Sequence, residues 1–432
     1  MKKSIYLLLA IFLSACLPAG VQVPQSPLLS VLERKAGLIA YIGTDGNVYI
    51  TDQGASKTSQ LTKDATPPDQ KSSSTLAYQN PTWSLDGSQL AYIKFEQGNS
   101  QLISKLFVAN IDDDTIKNVY SSASEHPFYL YWSPDDANLS FLSSAATGQT
   151  MMLQSVSATG GDSRVLDTGS PFYWSWAPDG KTMIVHQGGG GSNLPNRLAF
   201  LKVDSGVDEY GLDMIPASFQ APAWSPDGKF ILLTHKTDDG KQEILLADST
   251  GKTLKSIRTF DLSTAFAWSF DSEQFAYIVG TEPLNNGTIG TLHVYDTAIS
   301  KEIEVGKNVV GLFWSPNGKK LAYFVPYVAG AQTTNGAQSD TTTLILQLNM
   351  LDVATGKTRE LFNFQPTDQF VSIIPYFDQY HQSTTIWSPD SNNLVLSFIG
   401  SDGKPGVAVV AASGQLQPRF IADGIFAVWS WK

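Results

Sequence analysis

The sequence contains one cysteine, Cys16, in 432 residues. A single cysteine excludes a framework of intramolecular disulfide bonds, so the stability of the fold has to come from packing. Positive charge is also scarce: 29 Lys and Arg stand against 40 Asp and Glu, and the net charge is −11. The chain has no basic stripe, which argues against nucleic acid as a partner. The apolar run at residues 5–13 has nine residues, whereas a transmembrane helix needs about 20.

Sequence signatures of common catalytic sites are missing as well. The Gly-x-Ser-x-Gly turn of serine hydrolases and the His-Glu-x-x-His motif of metalloproteases do not occur. Gly-Lys-Thr occurs at residues 180–182, 251–253 and 356–358, but each copy lacks the upstream glycine of a phosphate-binding loop. The five histidines do not have the spacing of metal ligands. We therefore expect no nucleotide, cofactor or metal.

The first sixteen residues have the layout of an export signal. Lys2 and Lys3 give a positive start, the apolar run follows, and small residues precede Cys16. The Leu-Ser-Ala-Cys sequence resembles the lipobox of bacterial lipoproteins. This resemblance implies cleavage before Cys16, followed by acylation of its thiol and amine. An ordinary signal peptide with an incidental cysteine is the alternative.

The chain is expected to have three parts. Residues 1–15 form a lipoprotein signal peptide, residues 16–36 a lipid-anchored flexible tether, and residues 37–432 a single domain. Loss of Lys2 and Lys3 with the signal would change the net charge from −11 to −13. The expected location is the bacterial cell envelope, on the periplasmic or extracytoplasmic face of a membrane.

A five-residue motif, Trp-Ser-Pro-Asp-Gly, recurs at intervals of 42 to 73 residues. A short apolar strand ends at the Trp, and Pro-Asp-Gly then forms a turn, because Pro presets φ and Gly accepts a positive φ. A second strand, a third strand ending in Asp and a more polar fourth strand follow. Units of this length are typical of propeller blades. The tryptophans of the motif are Trp83, Trp132, Trp176, Trp224, Trp268, Trp314, Trp387 and Trp429.

The repeats predict an all-β fold, a β-propeller of about eight four-stranded blades, with seven as the alternative. The predicted domain does not begin with the first strand of a repeat, because residues 38–42, 47–52 and 56–62 have the pattern of second, third and fourth strands. The missing first strand is expected at residues 425–431. The C-terminal strand would then pair into the N-terminal blade and close the ring. We expect the tryptophans to pack between blades, and no stretch of twelve residues has a helical period.

The motif and its flanks resemble the repeats of TolB-like propellers, whose units run Pro-x-Trp-Ser-Pro-Asp-Gly-x-x-Leu-Ala-Tyr. Residues 222–233 and 312–324 match well, and the resemblance covers about residues 38–432. It implies a propeller fold. TolB itself acts in the periplasm with lipoprotein and Tol partners. No partner-binding residue is carried over, because this chain has more repeats than TolB and no room for the separate N-terminal domain of TolB.

The connections between the predicted strands differ on the two faces of the propeller. Turns from first to second and from third to fourth strands are short. The other connections are long, and we call the face that they share the long-loop face. Long loops on a rigid scaffold are where binding sites usually lie. The long connections are residues 64–80, 188–196, 326–343 and 365–385.

Within the last of these connections, residues 375–381 combine aromatic side chains, one carboxylate and amide or imidazole groups. This mixture suits a ligand site at a propeller mouth. The alternative is that the aromatic side chains only pack an enlarged loop onto the ring. The candidate ligand- or partner-binding residues are Tyr376, Phe377, Asp378, Tyr380 and His381.

The sequence thus predicts a non-catalytic envelope lipoprotein that binds an envelope protein or a polymer through its long-loop face. The membrane would be contacted through the lipid anchor. The alternative is a glycan- or peptide-processing hydrolase or lyase with carboxylates at the tunnel mouth. A carboxylate pair about 5–10 Å apart would favour the enzyme. An aromatic mouth would favour binding.

Overall fold

The computed structural model describes residues 36–66, 75–98, 101–144, 150–188, 196–204, 206–284, 287–329 and 343–432. The predicted signal peptide, Cys16 and the tether up to residue 35 lie outside these described residues. Parts of three predicted long connections, residues 67–74, 189–195 and 330–342, also lie outside them. None of the helices in the described ranges is long and apolar enough to cross a membrane.

Antiparallel β-strands make up most of the described chain, and each strand pairs mainly with its neighbours in sequence. The first sheet combines the two ends of the chain and contains β1 (Ile39–Gly43), β2 (Val48–Thr51), β3 (Thr58–Gln60) and β32 (Gly424–Trp429). Three four-stranded sheets follow: β4 (Thr75–Trp83), β5 (Gln89–Gln97), β6 (Leu102–Asn110) and β7 (Thr115–Ser122); β8 (His126–Trp132), β9 (Asn138–Ser144), β10 (Met151–Ser157) and β11 (Arg164–Gly169); β12 (Phe172–Trp176), β13 (Thr182–Gln187), β14 (Arg197–Lys202) and β15 (Asp208–Gly211).

The remaining sheets are a five-stranded, a four-stranded and a seven-stranded sheet. The five-stranded sheet contains β16 (Ile215–Pro216), β17 (Ala223–Trp224), β18 (Phe230–Lys236), β19 (Gln242–Asp248) and β20 (Thr253–Phe260). The four-stranded sheet contains β21 (Thr264–Trp268), β22 (Gln274–Gly280), β23 (Gly290–Asp296) and β24 (Lys301–Val309). The last contains β25 (Gly311–Trp314), β26 (Lys320–Ala329), β27 (Thr343–Asp352), β28 (Lys357–Pro366), β29 (Asn393–Ile399), β30 (Pro405–Ala411) and β31 (Arg419–Ala422).

The sheets are arranged around a common axis. First strands of neighbouring sheets contact each other, as β4 does with β8, β17 with β21 and β21 with β25. One short helix contacts β8, β12, β21 and β25, which belong to four different sheets. Antiparallel sheets that meet along their first strands around an axis form a β-propeller. The all-β prediction is therefore confirmed.

The two ends of the chain meet in the first sheet. β32 pairs antiparallel with β1, from Ile39 opposite Trp429 to Ile42 opposite Phe426. The Trp429 indole donates to the carbonyl oxygen of Ala36 over 2.8 Å. Strands β1 and β32 lie within one or two residues of the segments that the motif phase predicted.

The seven-stranded sheet consists of two meanders joined by a short pairing. β28 meets β29 only at Gln365 opposite Ile399 and Pro366 opposite Phe398. Trp387 holds the first-strand position of the second meander as an isolated bridge to Leu394. The first strand is shortened to this bridge because the preceding chain is helical.

The tryptophans of the motif lie in the core, with 0–9% of their surface exposed. In four of them the indole nitrogen donates to the carbonyl oxygen of the residue that precedes the Trp of the previous motif. The hydrogen bond joins adjacent sheets, which gives the recurring Trp a role beyond its apolar area. These pairs are Trp132 with Thr82 at 3.0 Å, Trp268 with Ala223 at 3.0 Å, Trp314 with Ala267 at 3.1 Å and Trp387 with Phe313 at 2.9 Å.

Three copies of the motif have another residue in place of the final Gly, and the side chain of that residue forms a hydrogen bond to the neighbouring sheet. Asp136, Ser272 and Ser391 have φ of 56°, 62° and 61°, the left-handed conformation that Gly adopts easily. Each side chain accepts a backbone N–H of the previous turn, which offsets the conformational cost. The acceptors and donors are Asp136 with Leu85 and Asp86, Ser272 with Asp227, and Ser391 with Asn317.

One predicted loop is largely helical. Residues 365–385 contain α1 (Asp368–Ile373), a 3₁₀ turn (Ile374–Tyr376) and α2 (Phe377–Ser383). The helices escaped a twelve-residue search because they have six and seven residues. Helices this short are marginal alone and are stabilised by tertiary packing. Two other predicted loops are shorter than expected, since β4 begins at Thr75 and β26 continues to Ala329.

Candidate functional site

The helical stretch runs along the axis of the propeller, and we call residues 367–385 the axial segment. The Thr367 hydroxyl accepts the backbone N–H of Phe370 and caps α1. The same hydroxyl donates to the carbonyl oxygen of Ile425, over 2.6 Å. α1 contacts β29 and β32, and α2 contacts four first strands, three of which belong to sheets other than those of β29 and β32. The axial segment therefore touches the inner edges of most of the ring.

Gln379 attaches α2 to the backbone of β12. Its amide oxygen accepts the N–H of Trp174 over 2.9 Å, and its amide nitrogen donates to the Trp174 carbonyl over 2.9 Å. The amide nitrogen also donates to the Tyr129 hydroxyl, over 3.0 Å. Because Gln379 is only 2% exposed, these bonds replace water contacts that it cannot make.

His381 attaches the C-terminal part of α2 to β25. Its Nε2 accepts the backbone N–H of Trp314 over 3.2 Å, so the ring proton lies on Nδ1. Burial lowers the pKa of His381 to about 3, and the imidazole is neutral. Its ring stacks on Phe270 with 4.9 Å between centroids. Phe270 occupies the Pro position of an irregular motif, which explains that departure from the consensus.

Asp378 lies buried near the N-terminal end of α2 and is 3% exposed. One carboxylate oxygen accepts the backbone N–H of Ala221 over 2.7 Å, and the other accepts that of Gln379 over 3.0 Å. Burial raises the pKa of Asp378 to about 7, although these two hydrogen bonds oppose the shift. Each oxygen keeps a further lone pair for a ligand donor.

A cavity of about 740 Å³ lies above this carboxylate, and we call it the mouth cavity. Its lining comes from α1, α2 and the starts of β8, β12 and β21, together with the residues before β17. Aromatic rings line it: Tyr173 is 4.6 Å from Phe219 and 6.4 Å from Tyr376 between centroids. Its size falls in the usual range for ligand sites.

Large apolar side chains at the rim of the mouth cavity reach solvent. Phe128, Leu262 and Leu284 are 38%, 40% and 50% exposed and all line the cavity. Exposed apolar side chains grouped around a concave site mark a binding surface more often than scattered ones do.

A second cavity, of about 470 Å³, adjoins the first, and we call it the side cavity. The two share Gln79, Asn80 and Ser372 in their walls. Asp368 and Gln369 of α1 line the side cavity, and Tyr78 of β4 also lines it. The two cavities together form a groove on the long-loop face.

The predicted site residues separate into two groups. Tyr376, Asp378 and Tyr380 line the mouth cavity. Phe377 is fully buried in the core beside β25, and His381 is buried against Phe270. For these two residues the structure agrees with the alternative that the loop packs onto the ring, because successive residues of a helix face different neighbours.

Sequence reasoning missed the cavity residues outside the axial segment. Tyr173 and Phe219 lie a few residues before Trp176 and Trp224, at the entry of a first strand. First strands run from the long-loop face towards the motif turn, so residues upstream of each Trp lie at the mouth. That position in each repeat was the signal available in the sequence.

Polar clusters elsewhere in the molecule have structural partners. Glu302 accepts from Tyr277 and forms an ion pair with Arg258 between adjacent sheets. Asp64 pairs with Lys94 at 2.8 Å. Among the described residues, no group of three or more His, Cys, Asp and Glu lies close enough to hold a metal ion.

Comparison with known proteins gives likeness of fold only. No family model and no curated protein matches the sequence. A solved eukaryotic initiation factor is similar, with 12% identity, a TM-score of 0.51, and 92% of this chain and 98% of that chain covered. An oligogalacturonate lyase in complex with manganese has 14% identity and a TM-score of 0.48, covering 88% and 97%. TolB from Acinetobacter baumannii has 14% identity and a TM-score of 0.37, covering 79% and 82%.

Proposed function

We propose that this protein is a non-catalytic binding protein of the bacterial cell envelope that captures a partner protein at its mouth cavity. The observation that carries the proposal is the cavity itself. It has aromatic walls, an exposed apolar rim and one carboxylate at its floor. Walls of this composition are typical of ligand sites, in which a few polar groups set the orientation of the ligand.

The axial segment supports the same proposal. Gln379 and His381 bond to the backbone of strands in two different sheets, and Asp378 bonds to the backbone just before β17, which holds the cavity floor in place. A floor held at several points needs little ordering when a ligand arrives, and this lowers the entropic cost of binding.

The alternative, a hydrolase or lyase acting on a glycan or a peptide, would need a second carboxylate facing Asp378 at about 5–10 Å. Among the described residues that line the mouth cavity, Asp378 is the acidic one. The aromatic character of the mouth favours the binding proposal.

The proposal also covers the lipid anchor, the number of blades and the closure of the ring. Cys16 carries the lipid, and residues 16–36 hold the propeller away from the membrane. The seven-stranded sheet counts as two blades, since only two residue pairs join its halves, and this gives eight blades. Pairing of β32 with β1 closes the ring.

The test is a crosslinking pull-down from intact cells with a rim variant, Phe128→Ser, Leu262→Ser and Leu284→Ser. We expect the variant to lose the partner that wild type captures. The side chains are 38–50% exposed, so their replacement should leave the fold intact. The matched control is Ile116→Ser, Val165→Ser and Leu254→Ser, whose side chains are 45–51% exposed on outer strands.

Equal capture by the rim variant and wild type would contradict the proposal, provided that both melt at the same temperature. Loss of capture in both triple variants would also contradict it, because the effect would then follow surface hydrophobicity rather than the mouth. Turnover of a glycan or peptide that requires Asp378 would favour the enzyme instead.

A further inference from the structure

We propose that the groove formed by the mouth and side cavities binds an extended, positively charged segment of the partner protein. This inference rests on the proposed function and specifies its ligand. It depends on the charges of the groove, on the rings around Asp378, and on the placement of two carboxylates in adjoining cavities.

The acidic and basic residues among the described lining of the groove are both Asp. Asp378 is the charged residue among the described lining of the mouth cavity, and Asp368 is that of the side cavity. Neither set of described lining residues contains Lys, Arg or His. With a net charge of −11 for the chain, an anionic ligand would meet repulsion without a compensating cation. A cationic ligand would be attracted both at a distance and in contact.

The surroundings of Asp378 suit an ammonium or guanidinium group. Its two oxygens hold backbone N–H groups and retain acceptor capacity towards the cavity. Tyr173 and Tyr376 stand beside it, and Tyr380 packs 5.0 Å from Tyr129. A cation near aromatic faces gains a further attraction, and the apolar stem of Lys or Arg can lie along the rings.

Asp368 supplies the second anchor. It is exposed in the first turn of α1, whereas Asp378 is buried in the first turn of α2. α1 and the 3₁₀ turn lie between the two residues, and each carboxylate lines a different one of the two adjoining cavities. An extended peptide that lies in both cavities can therefore contact both carboxylates. The expected ligand carries two basic side chains, one for each cavity.

The experiment measures fluorescence anisotropy with fluorescein-labelled peptides and the complete propeller. The probe has seven residues, with Lys at the second and sixth positions and Ala, Tyr and Ser elsewhere. Two matched peptides carry norleucine or Glu in place of both Lys. We expect the Lys peptide to bind roughly tenfold more tightly than the norleucine peptide, and the Glu peptide to bind least, since each ion pair adds a charge-assisted contact.

Protein variants assign the effect to the two anchors. Asp378→Asn and Asp368→Asn should each reduce the Lys preference several-fold and leave the norleucine peptide unchanged. Asp368 is exposed, so its variant folds even if the buried Asp378→Asn does not. Asp402→Asn is the control. It removes the same charge from the β29–β30 turn of the long-loop face, outside both cavities, and should have no effect.

The outcomes separate this inference from the proposed function. Equal binding of the Lys and norleucine peptides, or a Lys preference that survives both Asp variants, overturns the inference. If the rim variant still abolishes partner capture in that case, the proposed function stands with a neutral ligand. If no peptide binds and the rim variant captures the partner normally, both fail.

Discussion

At the scale of single residues, Asp378 is a carboxylic acid that the fold holds in a buried environment. The carboxyl group titrates at 3.8 in an exposed setting, and burial raises its pKa to about 7 in the folded protein. A polar group is buried at such a cost only where the surrounding structure holds it there. Here the N–H groups of Ala221 and Gln379 do so.

The raised pKa of Asp378 predicts a pH dependence of stability. The folded state holds this proton more tightly than the unfolded state, so the stabilisation is complete below about pH 4 and is lost as pH rises to about 7. The loss amounts to roughly 4 kcal/mol, from about 1.4 kcal/mol per pH unit. Urea unfolding of wild type and Asp378→Asn from pH 4 to 8 measures it.

The useful quantity in this experiment is the difference between the two proteins. We expect the advantage of wild type over Asp378→Asn to shrink between pH 4 and 7 and to stay constant above pH 7. A difference that does not change with pH would show that Asp378 titrates normally in the folded protein.

At the scale of elements, the axial segment replaces a first strand by two short helices. A strand at this position would pair with β29 along its length, whereas the helices leave Trp387 with one bridge to Leu394. In return, α2 buries its side chains against several sheets. Side-chain hydrogen bonds such as that of Gln379 to the β12 backbone take the place of strand pairing.

Gln379 should therefore be sensitive to substitution. Gln379→Leu leaves the buried N–H and C=O of Trp174 without these partners, which should cost about 2–5 kcal/mol. Thermal unfolding followed by tryptophan fluorescence measures the loss. Gln369→Leu makes the same change at an exposed position of α1 and should change stability by less than about 0.5 kcal/mol. Equal effects of the two substitutions would contradict the role given to Gln379.

At the scale of the whole molecule, the two ends of the chain share one sheet. β32 contributes Phe426, Val428 and Trp429, which are 6%, 1% and 0% exposed. Loss of a buried Trp alone costs about 3–5 kcal/mol. Without β32, the inner edge of β1 would also present unpaired backbone groups, which promote association between molecules.

Removal of residues 424–432 should consequently lower the melting temperature strongly and cause aggregation. Size-exclusion chromatography and thermal unfolding measure both effects. A synthetic peptide of residues 423–432 should restore part of the stability when it is added during refolding. A truncated chain that stays monomeric and melts at the temperature of wild type would contradict the contribution of β32.

Much of this architecture is readable from the sequence. The motif ends its strands at Trp and turns at Pro-Asp-Gly, and both signals are local, so the all-β fold and the phase of the strands could be predicted. The position of β32 followed from the missing Trp strand before residue 38. The importance of residues 365–385 was also visible, because their length breaks the repeat.

The axial helices and the groove were decided by tertiary structure. α1 and α2 are too short to be stable or recognisable alone, and they exist because the ring provides partners for Gln379 and His381. The mouth cavity combines side chains such as Phe128, Phe219 and Leu284, which are far apart in sequence. Local patterns determine strands and turns, whereas a cavity depends on which distant residues the arrangement of the sheets brings together.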